Sequence, residues 1–331
     1  MPVRDVIIVG AGPSGLATAI AAKRQGLDYV IVEKGVLVNS IFNFPMHMVF
    51  FTTPELLEIG GLPLTTPYDK PTRLEALRYY RRVVDTYDIQ VSYHEAVVSI
   101  ERDDEGVFAV TTTHRGVTRE RQARAVVLAI GYYDLPNYLG VPGEELPHVS
   151  HYYTDAHPYY RQRVVVVGGK NSAAEAALDL FRAGARVTIV HRRDALGESI
   201  KYWVKPDIEN RIKEGSIAAR FNTRVAEIRP TTVLVEQDGV PSEIEADAVF
   251  LLTGYSSDNQ LLNAVGVGIN PDTCGPVFDA ETFETNVPDV YVAGAVVAGV
   301  QSGRIFIENG RFHGQQVIDA IVRKNTQKID S

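Results

Sequence analysis

Residues 5–33 limit what this chain can fold into more than any other stretch. A β-branched run, Asp5-Val6-Ile7-Ile8-Val9, meets the turn Gly10-Ala11-Gly12-Pro13-Ser14-Gly15, and an Ala-rich run over residues 16–22 follows without a break. Strand, tight turn and helix in that order give a G-x-G-x-x-G its chemical meaning. Gly10 permits the turn, Gly12 opens the backbone to a pyrophosphate, and Gly15 lets helix and strand pack closely. The helix start offers N–H groups and a partial positive charge to phosphate. A second strand, residues 29–32, ends at Glu33, where an acid suits a free ribose diol and repels a 2′-phosphate. The stretch predicts a dinucleotide-binding βαβ unit. A bare glycine turn would not need the strand, the helix and the acid together.

The pattern restarts at Arg163-Val164-Val165-Val166-Val167, with the turn Gly168-Gly169-Lys170-Asn171-Ser172-Ala173, a helix from residue 174 and a strand over residues 186–190. Lys170 stands where the middle glycine of the generic pattern would be. The second strand ends in His191-Arg192-Arg193 rather than in an acid. Two guanidiniums can fork onto a phosphate, so this unit is expected to take NADPH in preference to NADH. The alternative is that both arginines form an exposed charged turn.

Between and after these units the expected elements are mixed. A helix is expected over residues 72–87, with Leu74, Leu77, Tyr80, Val83 and Val84 on one face. Strands are expected over residues 91–102, 107–114, 117–124 and 125–130, then 225–229, 232–236, near 244, 248–253 and 290–293. Residues 198–213 read as an amphipathic helix broken or kinked at Pro206. The last helix runs to about residue 323 after Ile305-Phe306-Ile307-Glu308-Asn309-Gly310-Arg311-Phe312-His313-Gly314. Phe42, Phe44, Phe50 and Phe51 lie in a loop-rich stretch and either pack that loop down or wall a flat cofactor ring. Most of the tyrosines after Gly131 are expected to be structural. His47, His151, His157 and His313 are the acid–base candidates, and none is assigned a catalytic role.

The chain has 331 residues, 45% hydrophobic and 22% charged, enough for two globular domains. A net charge of -8 gives no basic footprint for nucleic acid or anionic membrane. The single cysteine, Cys274, allows no internal disulfide and points to a cytoplasmic location. With a strand starting at about Asp5, no signal peptide is expected. No metal site is expected.

The order of these units, with the strings Asn39-Ser40-Ile41-Phe42-Asn43-Phe44-Pro45, Phe50-Phe51-Thr52-Thr53, Ser199-Ile200-Lys201, Glu284-Thr285-Asn286-Val287 and the long run from Ile305 to Gly314, resembles the YpdA-type family of bacillithiol-disulfide reductases. That family lies within the thioredoxin-reductase-like flavoproteins with two dinucleotide-binding domains. The resemblance covers nearly the whole chain. It implies an α/β fold of two Rossmann-like, three-layer ββα domains. The FAD-binding domain would be residues 1–134 with 255–331, and the inserted NADPH-binding domain residues 135–254. It implies hydride transfer from NADPH to FAD and on to a small acceptor, bacillithiol disulfide. The alternatives are an electron-transfer reductase for ferredoxin or flavodoxin and a non-catalytic sensor of both cofactors. A homodimer or homotetramer is implied, with a small molecule or small redox protein as partner.

The FAD contacts implied are Gly10, Gly12, Pro13, Ser14, Gly15, Glu33, Lys34, Ser40, Ile41, Phe51, Val97, Gly131, Gly294, Ala295 and Ile305. Those for NADPH are Gly168, Gly169, Lys170, Asn171, Ser172, His191, Arg192, Arg193 and Lys201. Lys170, where the generic fingerprint has a glycine, and Ala295, where thioredoxin reductases carry an acid, are both what the family shows. Two departures stand out. Residues 150–157 hold no C-x-x-C, so a dithiol relay is impossible. Ser14 stands where YpdA members carry a cysteine, and a serine cannot form a mixed disulfide. Cys274, in a turn that matches no redox motif, is read as incidental.

Overall fold

The computed structural model describes residues 2–300 and 304–329. The chain divides into two compact units, Met1–Leu135 with Tyr255–Ser331, and Pro136–Gly254.

In the first unit, β1 (Arg4–Val9) lies between β2 (Tyr29–Val32) and the strand Val117–Leu128, parallel to both. Val91–Ser92 extends the parallel sheet beyond β2, and Val290–Val292 extends it beyond Val117–Leu128. Successive side chains of a strand face opposite ways. Val6 and Ile8 therefore join a core with Leu16 and Ile20 of helix α1 (Pro13–Arg24), with Tyr80 of the helix Arg73–Tyr87, and with Val317 of the helix His313–Ile329. Ile7 and Val9 join a second core with Phe108 and Val110 of an antiparallel meander behind the sheet. Helices, parallel sheet and meander form the three layers expected.

Several boundaries differ from those expected. The strands at 117–124 and 125–130 are one strand, Val117–Leu128. Its first half pairs antiparallel with Phe108–His114 and its second half parallel with β1, so no turn is needed between them. The strand at 91–102 is two, Val91–Ser92 and Glu95–Arg102. His94, at φ +53°, turns the chain from parallel pairing with β2 to antiparallel pairing with Phe108–His114. The helix Arg73–Tyr87 begins at a capping box formed by Thr72 and Glu75. Its Leu74 is exposed, and Ala76 and Tyr79 are buried in its place. Residues 198–204 are not helical. The helix is Lys205–Lys213, with Pro206 in its first turn, where a missing N–H costs nothing. The proline starts this helix rather than kinking it.

The second unit repeats the plan. Its five parallel strands run in the order Ala218–Arg220, Arg186–Val190, Arg163–Val167, Ala248–Leu251 and Val149–Ser150. Val164 and Val166 pack with the helix Asn171–Arg182, while Val165 and Val167 pack on the meander Thr223–Ile228, Thr232–Gln237 and Val240–Glu245. The two ends of this unit lie side by side. The Asn137 N–H donates to the Gly254 carbonyl at 2.9 Å, and the Thr253 hydroxyl donates to the Asn137 carbonyl at 2.6 Å. Among the described residues, no helix is long and apolar enough to cross a membrane.

Candidate functional site: two glycine turns

The first turn is built by exclusion. Gly10 has φ +105°, and a Cβ there would lie 2.5 Å from the Ala129 carbonyl oxygen. A Cβ on Gly15 would lie 2.0 Å from the Gly10 carbonyl oxygen. Gly12 is different, because nothing lies within 4 Å of the Cβ it lacks. Gly12 caps α1 with extended backbone, Pro13 opens the helix, no side chain caps it, and its first turn carries no acid. The Ser14 and Gly15 N–H groups have no intrahelical acceptor. An open backbone beside an uncapped helix start fits the pyrophosphate of FAD.

Glu33 ends β2 and is 5% exposed. Its carboxylate accepts the Ala11 N–H at 2.7 Å through Oε2 and the Gly35 N–H at 2.7 Å through Oε1. Burial pushes its carboxyl up, opposed by these bonds. Glu33 thus staples the glycine turn, and each oxygen keeps a lone pair for a ribose hydroxyl.

The other positions expected around FAD vary. Ser14, Gly294 and Gly310 touch. The Ser14 Oγ donates to the Gly310 carbonyl at 3.3 Å, and a Cβ on Gly294 would lie 2.3 Å from that Oγ. Ile305 packs beside Gly310 and Ala295 is half-buried. Gly131 has φ +65° and open space beside it. Lys34 is paired with Asp134 at 2.9 Å. Ser40 and Ile41 lie on the short helix Asn39–Phe42, held to the first turn by the Val38 N–H bonded to the Ala11 carbonyl at 3.1 Å. Ile41 is 2% exposed, so its side chain belongs to the core, and its carbonyl accepts from Arg73. Val97 packs into the core behind the sheet. Phe51 meets Phe306 edge to face at 5.2 Å. Phe50 is buried, and Phe44 packs edge-on against it and against Tyr133, so these two hold the loop down. Phe42 is exposed beneath the Arg73 guanidinium.

The second turn follows the same logic with other atoms. Gly168 has φ +153°, and a Cβ there would lie 2.6 Å from the Leu252 carbonyl oxygen. Gly169 faces the His191 ring, which would lie 2.3 Å from its Cβ. Burial, and then Arg193 and Arg192, hold the His191 imidazole below its ordinary range. Lys170 caps the helix Asn171–Arg182 at φ −117°, an extended backbone that any residue adopts, so glycine is not required there. Ser172 is exposed, and this helix start also has no side-chain cap and no acid. Arg192 and Arg193 are exposed, with no ion pair among the described residues, and fit a 2′-phosphate.

Asn171 and Lys201 are engaged within the protein. The Asn171 amide donates to the Ser199 carbonyl at 2.9 Å and accepts the Lys201 N–H at 2.9 Å. The Gly197 N–H donates to the Gly169 carbonyl at 2.7 Å. Residues 197–201 are thereby strapped to the glycine turn. The Lys201 ammonium meets Glu175 at 2.6 Å.

Three residues of the run Ile305 to Gly314 have roles here that sequence reasoning did not assign. A Cβ on Gly314 would lie 2.5 Å from the Thr18 backbone nitrogen, which shows how closely the last helix meets α1. Gly310 touches Ser14, and the spacing of these two glycines was the available signal. His313 is buried, and its Nδ1 accepts the Gly294 N–H at 3.1 Å. The sequence offers it as an acid–base candidate, but no pattern points to this contact.

Residues 7–294 match the pyridine nucleotide-disulphide oxidoreductase family. The chain is 43% identical to bacilliredoxin reductase Bdr of Bacillus subtilis, over 96% of this chain and 97% of that one. It superimposes on bacillithiol disulfide reductase Bdr (YpdA) from Bacillus cereus with a TM-score of 0.95 at 42% identity, covering 98% of this chain and 100% of the other. A more distant relative, a ferredoxin–NADP reductase of Ignicoccus hospitalis, is 25% identical over 88% of this chain and 90% of its own. The chain belongs to the pyridine nucleotide-disulphide oxidoreductases, in their YpdA-type branch, and is a flavin oxidoreductase whose cofactors are FAD and NADPH.

Proposed function

We propose that this chain is a cytoplasmic NADPH-dependent reductase of a low-molecular-weight disulfide, bacillithiol disulfide being the type, and that it works as a dimer or tetramer. The observation that carries the reading is full-length similarity to a bacillithiol disulfide reductase, together with two glycine turns that each lead into a helix start with no side-chain cap. The overall conversion is RSSR + NADPH + H⁺ → 2 RSH + NADP⁺. The bound cofactors supply the hydride chemistry, and the protein aligns them.

The chain's own residues divide the remaining work. The Gly10–Gly15 turn and Glu33 hold FAD in the first unit. The Gly168–Ser172 turn, Arg192 and Arg193 hold NADPH in the second. The sole cysteine, Cys274, is exposed in a turn where its Sγ lies 4.0 Å from the Pro271 carbonyl. Ser14 offers a hydroxyl where exchange would need a thiolate. Disulfide reduction here therefore proceeds without a protein mixed disulfide at residue 14.

The missing dithiol and the ferredoxin–NADP reductase relative support a second reading, electron transfer to a small carrier protein. Anaerobic stopped-flow separates the two. The NADPH-reduced enzyme is mixed with bacillithiol disulfide, ferredoxin or flavodoxin. Reoxidation by the disulfide supports the first reading, and reoxidation by the carriers alone replaces it with the second. Flavin that stays oxidised under NADPH leaves the non-catalytic sensor.

A further inference from the structure

We propose that His313 is a positioning residue for the flavin site. Its Nδ1 lone pair holds the Gly294 N–H and so sets the Gly294–Ala295 turn against Ser14. The inference rests on the reading above that the first unit binds FAD.

The bond itself fixes the state of the ring. An N–H can donate only to an unprotonated Nδ1, so the proton of the neutral imidazole sits on Nε2. His313 is 8% exposed and its ring lies on Phe283, with ring centroids 4.2 Å apart and an interplanar angle of 26°. That surrounding opposes the imidazolium. The Gly294 N–H is buried, and it would otherwise carry the full cost of an unmade bond.

Gly294 has no freedom to move without consequence. At φ +79° it presses on the Ser14 side chain, and a Cβ on Gly310 would lie 3.2 Å from its Cα. His313 opens the last helix, and the next residue, Gly314, rests on the Thr18 backbone of α1. The imidazole is therefore anchored to the same helix whose first turn carries Ser14. It acts as a strut of fixed length between α1 and the turn after Val290–Val292. A lost or lengthened bond lets Gly294 drift, and the wall beside Ser14 drifts with it.

Two substitutions separate the acceptor from the ring. Asparagine places Oδ1 where the imidazole carries Nδ1, while phenylalanine keeps the stack on Phe283 and removes the acceptor. His313→Phe should weaken FAD binding about tenfold, the worth of one buried hydrogen bond, and shift the flavin absorbance and visible circular dichroism. His313→Asn should restore both to near the unmodified values. Loss in both variants, or in neither, overturns the proposal. If the phenylalanine variant does not fold, the unmodified protein decides. Long-range ¹H–¹⁵N spectra of histidine-labelled protein should show His313 as the neutral Nε2–H tautomer, and an Nδ1–H signal overturns the proposal. An unmodified protein that takes up no FAD refutes the functional reading instead, while the tautomer remains readable.

Discussion

The Ser14 hydroxyl reaches the carbonyl of Gly310, a residue 296 positions later in the chain, across 3.3 Å. This contact ties the first glycine turn to the C-terminal segment. It also puts a hydroxyl at the position where the family resemblance leads one to expect a thiol.

Ser14→Cys should therefore alter catalysis rather than folding. At a helix N-terminus a cysteine has a lowered pKa and is a competent thiolate. Rapid flavin reduction by NADPH is expected in both proteins, with slow bacillithiol disulfide turnover in the unmodified enzyme and turnover roughly tenfold or more faster in Ser14→Cys. Ser14→Ala should cost about 1 kcal/mol of stability in urea titrations. Fast disulfide turnover in the unmodified enzyme, unchanged by Ser14→Cys and by Cys274→Ala, would show that a thiol at residue 14 is irrelevant.

Arg192 and Arg193 should carry the preference for NADPH. Each charge-assisted bond to the 2′-phosphate is worth about 1.5–3 kcal/mol. The Arg192→Ala, Arg193→Ala double variant should lose most of the NADPH/NADH ratio in kcat/KM while NADH values stay near those of the unmodified enzyme. Equal kcat/KM for both nucleotides in the unmodified enzyme would sink the assignment.

Asn171 should act on NADPH through the strap it holds. Removing its amide in Asn171→Ala frees the Ser199 carbonyl and the Lys201 N–H, at about 1 kcal/mol for each bond. The expected result is a raised KM for NADPH with kcat little changed, and faster amide exchange over residues 197–201. An unchanged KM would mean that the strap is not part of the nucleotide site.

His313 should leave a signature in acid. Burial draws its pKa from the ordinary 6.5 down to about 4. Between those values the unfolded chain binds a proton that the folded protein refuses. Stability present above pH 6.5 is therefore lost as pH falls toward 4, by roughly 3 kcal/mol. Urea midpoints at pH 7, 5.5 and 4 should show this slope in the unmodified protein and a shallower one in His313→Asn. Equal slopes would place the acid sensitivity elsewhere.

What the sequence revealed and what it hid follow from the range of each interaction. Gly15 was legible because the clash it avoids, with the Gly10 carbonyl, is local to one strand–turn–helix unit, whereas the clash Gly10 avoids is with Ala129, far along the chain. His191, not Arg192, stands in register with Glu33, because the Gly168 N–H bonds to the Val190 carbonyl as the Gly10 N–H bonds to the Val32 carbonyl, so the two arginines lie just beyond the equivalent position. The single strand Val117–Leu128 was hidden because its partner changes midway, which no periodicity records. Pro206 was misread because a helix interior and a first turn differ only in what precedes them. The Asn171 strap and the His313 contact each join residues well separated in sequence, so composition carries no trace of them.

The two ends of the second unit meet at Asn137 and Gly254, one hydrogen bond apart. An insertion with adjoining ends asks little of the protein that receives it. The host must spare only the gap between two neighbouring backbones, and the loop-closure cost of the graft is already met inside the graft. Residues 136–254 thus have the geometry of an exchangeable cassette. A nucleotide unit of different charge preference, cut at the same two points, could be transplanted without redesigning the sheet on either side of the join.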